Sequence, residues 1–558
     1  MIDKAPYFSR TATEILSDST KFEKIGAIDF TATVTKTEKQ LRSKMLGMRK
    51  SGQLTEDQYE AIRPLGSQLP RLYGLPKIHK HNFPFRPILS MSNSPQEKLA
   101  KWLLVILQPA VKLYTKYCVK DSFTFALEMK SLNAPSENVV MTSYDVTSLF
   151  TNVPVKEAIK ISADYLYSVD NPCQPPITRS VFIELMELAT IGVEFVFGDT
   201  LYKQIEGVAM GSQLGPSLAN IFLGFHEEKL FAVVQPPLYY RRYVDDTFVL
   251  FASNKESALF HERLNSMHNS LKFTSEGETQ NKLAFLDVLV ERSQNRWITT
   301  VHRKSTFTGQ YMHWSSFAPR QRKLDLIHTL TLRALSICSP SRLDSELQQV
   351  EKILVDNGYP LEVVKFHISK RTSIFTSERP FGPHPCPLYV KLPWIGERSI
   401  IFEKQLQDSV KLCFGPASLR VCYSTKPLMK FAIKDPLPTL ARSNVVYMFE
   451  CLCEKRYVGR TEQRLADRIT QHVPSTIRKP KVGKKLPDAS KQSSAIAKHL
   501  CENAECAAAY DPDRFTVLDQ ARTSFHLATL EASYIASMKP ILCRQKTFVY
   551  TLRVFGGL

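Results

Sequence analysis

Residues 1 to about 68 carry apolar positions at helical spacing. Lys36 to Met48 is charged with periodic apolar positions, Ser51 to Ile62 continues the pattern, and the region is predicted as helices. Leu69 to Pro95 breaks that period. Gly74, Pro76, Pro84 and Pro87 exclude a helix there, which leaves extended backbone or a loop. Lys101 to Lys116 returns to an amphipathic helix. Val139 to Val146 reads as a strand with Asp145 near its end, and Pro154 closes the segment. From Glu206 to Gly224 (EGVAMGSQLGPSLANIFLG), Gly207, Gly211 and Gly215 form a flexible loop. Pro216 then suits the start of a helix running through Leu218, Ile221 and Phe222.

Arg241 to Phe251 (RRYVDDTFVLF) sets Asp245-Asp246 between two apolar, β-prone flanks, the pattern of a tight hairpin with the pair at its tip. A helix over Asn254 to Ser270 and a strand pair, Leu271 to Thr274 with Lys282 to Glu291, follow. Thr300 to about Arg371 is helical and basic. The proline-dense Arg379 to Trp394 (RPFGPHPCPLYVKLPW) ends that region. Gly396 to Ala441 is a connector with a strand signal at Leu419 to Tyr423. Beyond Ser443, strands over Val445–Glu450 and Arg456–Val458 are joined by a short turn, and a helix spans Glu462 to Gln471.

A chain of 558 residues exceeds one core, so several domains are expected, and an apolar fraction of 43% suits globular folding. A formal charge of +19 favours a polyanionic partner, nucleic acid before membrane. The apolar run Trp102 to Leu107 is far too short to cross a bilayer, and the N-terminus lacks a signal core. Eleven cysteines in so long a chain do not suggest a disulfide framework, and the expected compartment is intracellular. The abrupt, mixed polar start is read as that of a fragment or a shortened copy of something longer.

These elements focus the candidate chemistry. Adjacent aspartates repel, and a site that keeps both ionised supplies cations. Asp245-Asp246 is therefore either a divalent-metal site for phosphoryl transfer or plain turn chemistry, and Asp145 at a strand end gives the first reading a partner. In the Leu69–Pro95 stretch, Arg71, Lys77, Lys80 and Arg86 alternate with Tyr73, Phe83 and Phe85. That arrangement either grips phosphates and stacks on bases or is a solvated basic loop. The glycine loop entering a helix N-terminus suits an anionic or nucleotide ligand, without the spacing of a P-loop.

In this order the features resemble a reverse transcriptase over roughly residues 20 to 340. YGLPKIHK, YDVTSLFTNVPV, MGSQLGPSLANIF, YVDDTF and FLDVLVERS together resemble the Penelope-like retroelement family, whose polymerase is akin to that of telomerase. The resemblance implies that Asp145 and Asp245, with the Val146 carbonyl and Asp246 as a lesser ligand, hold two magnesium ions. It implies that Lys77 and Arg86 bind the incoming triphosphate, and that Gly211 and Gln213 contact substrate. Phe150, five residues after Asp145, occupies the position of the family's steric gate against the ribose 2′-hydroxyl, with a core phenylalanine as the bland alternative. Asp287 is assigned to structure beside the primer-holding strands, and Thr300 to Ser316 begins a thumb tracking the template-primer duplex.

The chain after Ser443 resembles a GIY-YIG endonuclease. Val445-Val446-Tyr447 stands for the first motif, with Val where Gly is usual, and Tyr457-Val458-Gly459 for the second. The resemblance implies that Tyr447 helps activate water, that Arg468 holds the scissile phosphate, that Tyr457 and His472 belong to the catalytic group, and that Glu531 binds one magnesium. Cys543 stands where the family often has Asn. Cys-x-Cys with a distant His and Cys can close a zinc site. The family's inserted finger implies Cys451, Cys453, His499 and Cys506 as ligands, with Cys501 spare. The basic stretch Arg478 to Lys491 is read either as a loop touching DNA phosphates or as a solvated loop.

The expected fold is α+β and multidomain, a right-hand polymerase followed by a small α/β nuclease domain. Fingers and N-terminal helices take 1–100, the palm 101–299, the thumb 300–378, a connector 379–442 and the GIY-YIG domain with its zinc finger 443–558. The expected function is RNA-directed DNA synthesis coupled to DNA nicking. Its partners would be an RNA template, a DNA primer, target DNA and deoxynucleoside triphosphates, with no membrane, and its residence nuclear. A catalytically inactive or host-adapted nucleic-acid-binding protein is the alternative. An RNA-templated RNA polymerase is disfavoured by Phe150.

Overall fold

The computed structural model describes residues 3–543 apart from 28–29, 79–81, 136–137, 295, 377–386, 415–417, 426–436, 480–485 and 522. Lys80, the start of the proline-dense stretch at Arg379 and the middle of the 478–491 basic run lie outside the described residues. In chain order the strands are β1 (Phe22–Ala27), β2 (Arg71–Pro76), β3 (Phe85–Ser90), β4 (Val140–Val146), β5 (Glu194–Phe197) and β6 (Thr200–Gln204). Next come β7 (Tyr239–Tyr243), β8 (Asp246–Phe251), β9 (Phe273–Gly277), β10 (Lys282–Phe285), β11 (Val288–Arg292) and β12 (Trp297–Val301). The last are β13 (Pro387–Pro393), β14 (Ser418–Ser424), β15 (Val445–Glu450), β16 (Arg456–Thr461) and β17 (Phe515–Gln520).

The central sheet has the order β7-β8-β4-β9. After Asp246, β8 is buried at every position, as a strand covered on both faces is. On β8, Val249 and Phe251 join the larger apolar cluster, built with the helices Glu97–Tyr114, Val155–Leu166, Arg179–Thr190 and Gly215–Val233. Phe248 and Leu250 face the other way, against Leu283, Phe285, Val288 and Val290 of the β10-β11-β12 sheet. The sheet that carries the aspartates is thus clamped between two cores, which fixes its register.

Two sequence expectations are corrected. The N-terminal region is not all helical. It contains β1, which pairs with β6 at the edge of a five-stranded sheet ordered β1-β6-β5-β2-β3. Only Phe22 of β1 is buried, so the strand leaves no alternating signature. Leu271–Thr274 does not pair with Lys282–Glu291. β9 joins β4, and 282–291 folds back on itself as β10 and β11 around Leu286 at φ +55°. The basic-aromatic stretch forms the β2–β3 hairpin, with Leu75 opposite Arg86. That five-stranded sheet draws β5 and β6 from beyond residue 100.

The connector holds a parallel pair, β13 with β14, around the helix Arg398–Cys413. The C-terminal sheet is ordered β16-β15-β17. It sits against the N-terminal part of the chain. The buried Arg464 guanidinium meets the buried Glu38 carboxylate at 2.6 Å, and Asn93 Nδ2 donates to Ser443 Oγ at 3.2 Å.

Candidate active sites

Antiparallel pairing sets Asp145 of β4 directly opposite Asp246 of β8. The Asp245 carbonyl accepts from the Val146 amide at 3.1 Å, so the Val146 backbone lies against the turn. Burial first, and then the Asp145 charge, push the Asp245 carboxyl above its ordinary range. Its own backbone amide, Arg86 and Lys77 pull it down. A raised acid beside a second acid is the mark of a site short of positive charge. The donor set, three carboxylates and a backbone carbonyl, consists of the hard oxygens that magnesium takes. Asp145, Asp246 and Tyr243 line an open cleft of about 730 Å³ that continues to Asp287, His302 and Lys304. Asp287 sits in the β10–β11 turn, exposed, and pairs with Arg333 at 3.2 Å.

The turn between β7 and β8 is held from beneath by residues that the motif reading missed. Val244 lies at φ +56°, which a β-branched residue rarely adopts and which costs of order 1–3 kcal/mol. The Arg242 side chain, 1% exposed, donates to the Val244 carbonyl at 3.0 Å and to Asn220 at 2.8 Å. It also forks onto Glu227 at 2.6 and 3.0 Å. Glu227 and Asn220 come from the helix Gly215–Val233, so this one guanidinium ties the aspartate turn to the helix behind the glycine loop. The clue was the unusual RR before the hairpin. The Glu227 partner, on a different element, carries no local signal.

The residues predicted to meet a nucleotide divide between two places. Arg86 on β3 and Lys77 just after β2 bring their charge to Asp245. Phe150 sits in the short helix Leu149–Asn152, immediately after Ser148 at φ +51°. It is half-buried, and its carbonyl accepts from Val208 of the glycine loop at 2.7 Å. Gly211 and Gln213 line a separate pocket of about 50 Å³ with Met91 and Glu97, not the acid-bearing cleft. Gly211 has φ +121°, and a Cβ there would come within 2.2 Å of the Leu89 carbonyl, so only glycine lets the loop lie on β3.

In the C-terminal domain the sequence-predicted side chains converge. Tyr447 on β15 is fully buried, its Oη 2.6 Å from His472 Nε2, and Arg468 Nε donates to that Oη at 3.4 Å. The Tyr457 ring lies 6.4 Å from Tyr447 and 5.3 Å from His472. Gly459 is required for this approach, because a Cβ would meet Tyr457 at 2.7 Å and Tyr447 Oη at 2.8 Å. Burial pushes the Tyr447 phenol up. Burial and then Arg468 hold His472 down, to about 4. His472 Nδ1 reaches Ser494 Oγ at 2.8 Å.

Glu531, on the helix Ser524–Met538, is paired with Arg460 of β16 at 3.0 Å, a partner not foreseen. Burial raises this carboxyl, against Arg460 and Arg468. The Cys543 thiol bridges the Val458 backbone, accepting from its amide and donating to its carbonyl, both at 3.1 Å. This residue pins the chain to β16.

Cys451, Cys453, His499 and Cys506 bring one donor atom each within 4.8 Å of one another, and Cys501 stands outside the group. His499 Nε2 lies 3.3 Å from both the Cys451 and Cys453 sulfurs. A zinc tetrahedron has sulfur–nitrogen edges of roughly 3.5 Å, so three thiols and an imidazole at this separation fit that ion.

Among the described residues, no helix is long and apolar enough to cross a membrane. Residues 310–369 match the family model of the animal helix-turn-helix domain. No curated protein matches the chain. Among solved structures it is similar to telomerase from Candida albicans in complex with a TWJ fragment of telomeric RNA, at 12% identity and a TM-score of 0.41, covering 56% of this chain and 61% of that one. Apo telomerase from Candida tropicalis matches at 10% identity and TM-score 0.37, covering 68% and 65%. The Sicinivirus 3Dpol RNA-dependent RNA polymerase matches at 13% and 0.35, covering 57% and 73%. The chain therefore spans about three fifths of the Candida albicans telomerase structure. Residues 78–287 match the family model described as reverse transcriptase (RNA-dependent DNA polymerase), and Asp145, Asp245 and Asp246 fall inside that span: this part of the chain is a reverse transcriptase domain.

Proposed function

We propose that the chain is an RNA-directed DNA polymerase of the Penelope-like kind joined to a GIY-YIG DNA endonuclease, the two acting in sequence in target-primed reverse transcription. The observation that carries the polymerase half is the register pairing of Asp145 with Asp246, with Asp245 beside them, inside the reverse transcriptase span. Asp145, Asp245 and the Val146 carbonyl would hold two magnesium ions, with Asp246 a lesser ligand. When bound, these supply activation of the primer 3′-hydroxyl and neutralise the triphosphate and leaving pyrophosphate. Arg86 and Lys77 bind the triphosphate, Arg86 through its planar fork. Phe150, braced against the glycine loop, excludes the 2′-hydroxyl and selects deoxynucleotides. Residues 300–378 serve as the thumb, reading a hybrid duplex by shape and backbone.

The endonuclease half rests on the Tyr447–His472–Arg468 cluster with Glu531 close by. His472 Nε2, at 2.6 Å, accepts a hydrogen bond from the Tyr447 hydroxyl and orients the phenol, and Tyr447 would help activate water. Arg468 orients the scissile phosphate. Glu531 would hold one magnesium, which supplies charge stabilisation at the phosphate, and it must first exchange its Arg460 partner. Cys451, Cys453, His499 and Cys506 would hold a structural zinc. Nicking of target DNA would place the protein in the nucleus.

The test is a coupled assay with supercoiled plasmid, RNA template, deoxynucleotides and magnesium. The wild-type chain should yield cDNA covalently joined to a nicked plasmid strand. Glu531→Gln should lose the joined product yet extend a supplied primer. Extension without nicking by the wild type would remove the endonuclease half. Binding without either reaction would favour the alternative, a nucleic-acid-binding protein that keeps the fold.

A further inference from the structure

Away from both sites, three side chains from three segments of the central domain meet. Glu157 comes from the helix Val155–Leu166, His226 from the helix Gly215–Val233, and His268 from the turn after the helix Asn254–Ser266. One donor atom of each lies within 4.8 Å of the others. Glu157 Oε1 is 3.6 Å from His226 Nε2, and its Oε2 is 3.2 Å from His268 Nε2. A tetrahedron with zinc–ligand bonds of about 2.0–2.1 Å has edges of roughly 3.3–3.4 Å, and each imidazole lies at about that distance from one oxygen of the Glu157 carboxylate.

A second observation points the same way. His226 is 7% exposed, and its Nε2 has no hydrogen-bond partner. Buried polar atoms left unsatisfied are rare in folded proteins. The orphan nitrogen is the one that faces Glu157. Phe222 packs edge-on against both imidazoles, with centroids at 4.7 and 5.1 Å, giving the group an apolar wall. His268 Nδ1 lies 2.8 Å from Ser270 Oγ. The Ser270 backbone amide also donates to that Nδ1 at 3.1 Å, which fixes the ring with its Nε2 toward Glu157.

We propose that Glu157, His226 and His268 form a binding site for a divalent transition metal of the zinc class, with three protein ligands and water in the fourth position. Two imidazoles and a carboxylate match that class. Glu157 and His268 are part-exposed, which gives the ion and its water a way in. The ion would staple the elements that carry the polymerase chemistry. The helix of Glu157 follows the Phe150 segment, the helix of His226 follows the glycine loop, and His268 leads into β9, where Thr274 pairs with Asp145. The site stands independently of the polymerase and endonuclease readings.

The experiment measures zinc per chain, by mass spectrometry, on full-length protein loaded with zinc and dialysed. The wild type is compared with Glu157→Gln combined with His268→Ala, with His226→Gln, and with Cys453→Ser combined with Cys506→Ser. The first two variants should each hold one zinc fewer than wild type while keeping its circular dichroism. Cobalt added to the cysteine variant should give visible ligand-field bands without thiolate charge transfer, and these should vanish when Glu157→Gln and His268→Ala are added. Equal zinc in wild type and the Glu157→Gln, His268→Ala chain, or no cobalt bands in the cysteine variant, would overturn the site and leave a plain ion-paired Glu–His cluster.

Discussion

At the β7–β8 turn, three carboxylates gather, and Arg86 and Lys77 of the β2–β3 hairpin act on Asp245. At the tyrosine cluster of the C-terminal domain, the Glu531 carboxylate already has Arg460 at 3.0 Å and Arg468 acting on it. The first region sets like charges side by side, and the Asp145 charge helps to raise Asp245. The second balances itself with groups of its own chain. The scaffolds differ in the same sense. The aspartate turn is strained at Val244 and held by a buried Arg242–Glu227 pair, whereas the tyrosine cluster is closed by hydrogen bonds among Tyr447, His472 and Ser494. The strained turn depends on that buried support, and the tyrosine cluster on its own hydrogen bonds.

The largest expected effect breaks the support. Arg242→Met leaves Glu227 buried and unpaired and should cost about 3–5 kcal/mol in denaturant unfolding. Adding Glu227→Leu should restore most of that stability, because an apolar pair replaces the ion pair. Primer extension should stay impaired, since Val244 still lacks its donor. Full recovery of extension in the double variant would show that the turn needs no such brace.

The next separates the regions by pH. His472 titrates near 6.5 unfolded and is held at about 4 in the fold. Between those values the unfolded chain binds more protons, so stability falls as pH drops through the window, by up to about 3 kcal/mol. His472→Gln should flatten that slope. Asp245 acts in the opposite sense. Its raised carboxyl makes the folded state the stronger proton binder, so its contribution falls as pH rises.

A smaller effect concerns the sugar. Phe150→Ala should raise ribonucleotide use relative to deoxynucleotide use by roughly 10- to 100-fold, about 1–3 kcal/mol of discrimination, measured as a ratio of kcat/KM. An unchanged ratio would return Phe150 to the core. The smallest is magnesium's effect on stability. At ten times its Kd the ion should stabilise the wild type by about 1.4 kcal/mol near pH 7, less at pH 5, and less again in Asp245→Asn, read by thermal unfolding.

Much of the site was legible because its chemistry restricts residue type. Asp145 and Asp245-Asp246 stood out as acids at strand ends. Cys451, Cys453, His499 and Cys506 were set apart from Cys501 by the family resemblance alone, and the structure brings one donor atom of each within 4.8 Å of the others. Long-range pairing was less legible. β9 chose β4 because the clamped central sheet needed a fourth strand, which no local pattern announces. Arg242 found Glu227 fifteen residues earlier on a helix, and Glu531 found Arg460 on a strand. Each of those ion pairs depends on tertiary placement, as does the orphan nitrogen of His226.

The most direct measurement is primer extension on an RNA template by the chain carrying Asp245→Ala with Asp246→Ala, checked for native circular dichroism. A two-metal site at this turn predicts that extension falls by at least roughly 10³-fold while plasmid nicking is retained. Extension at the wild-type rate would contradict it and return the pair to turn chemistry.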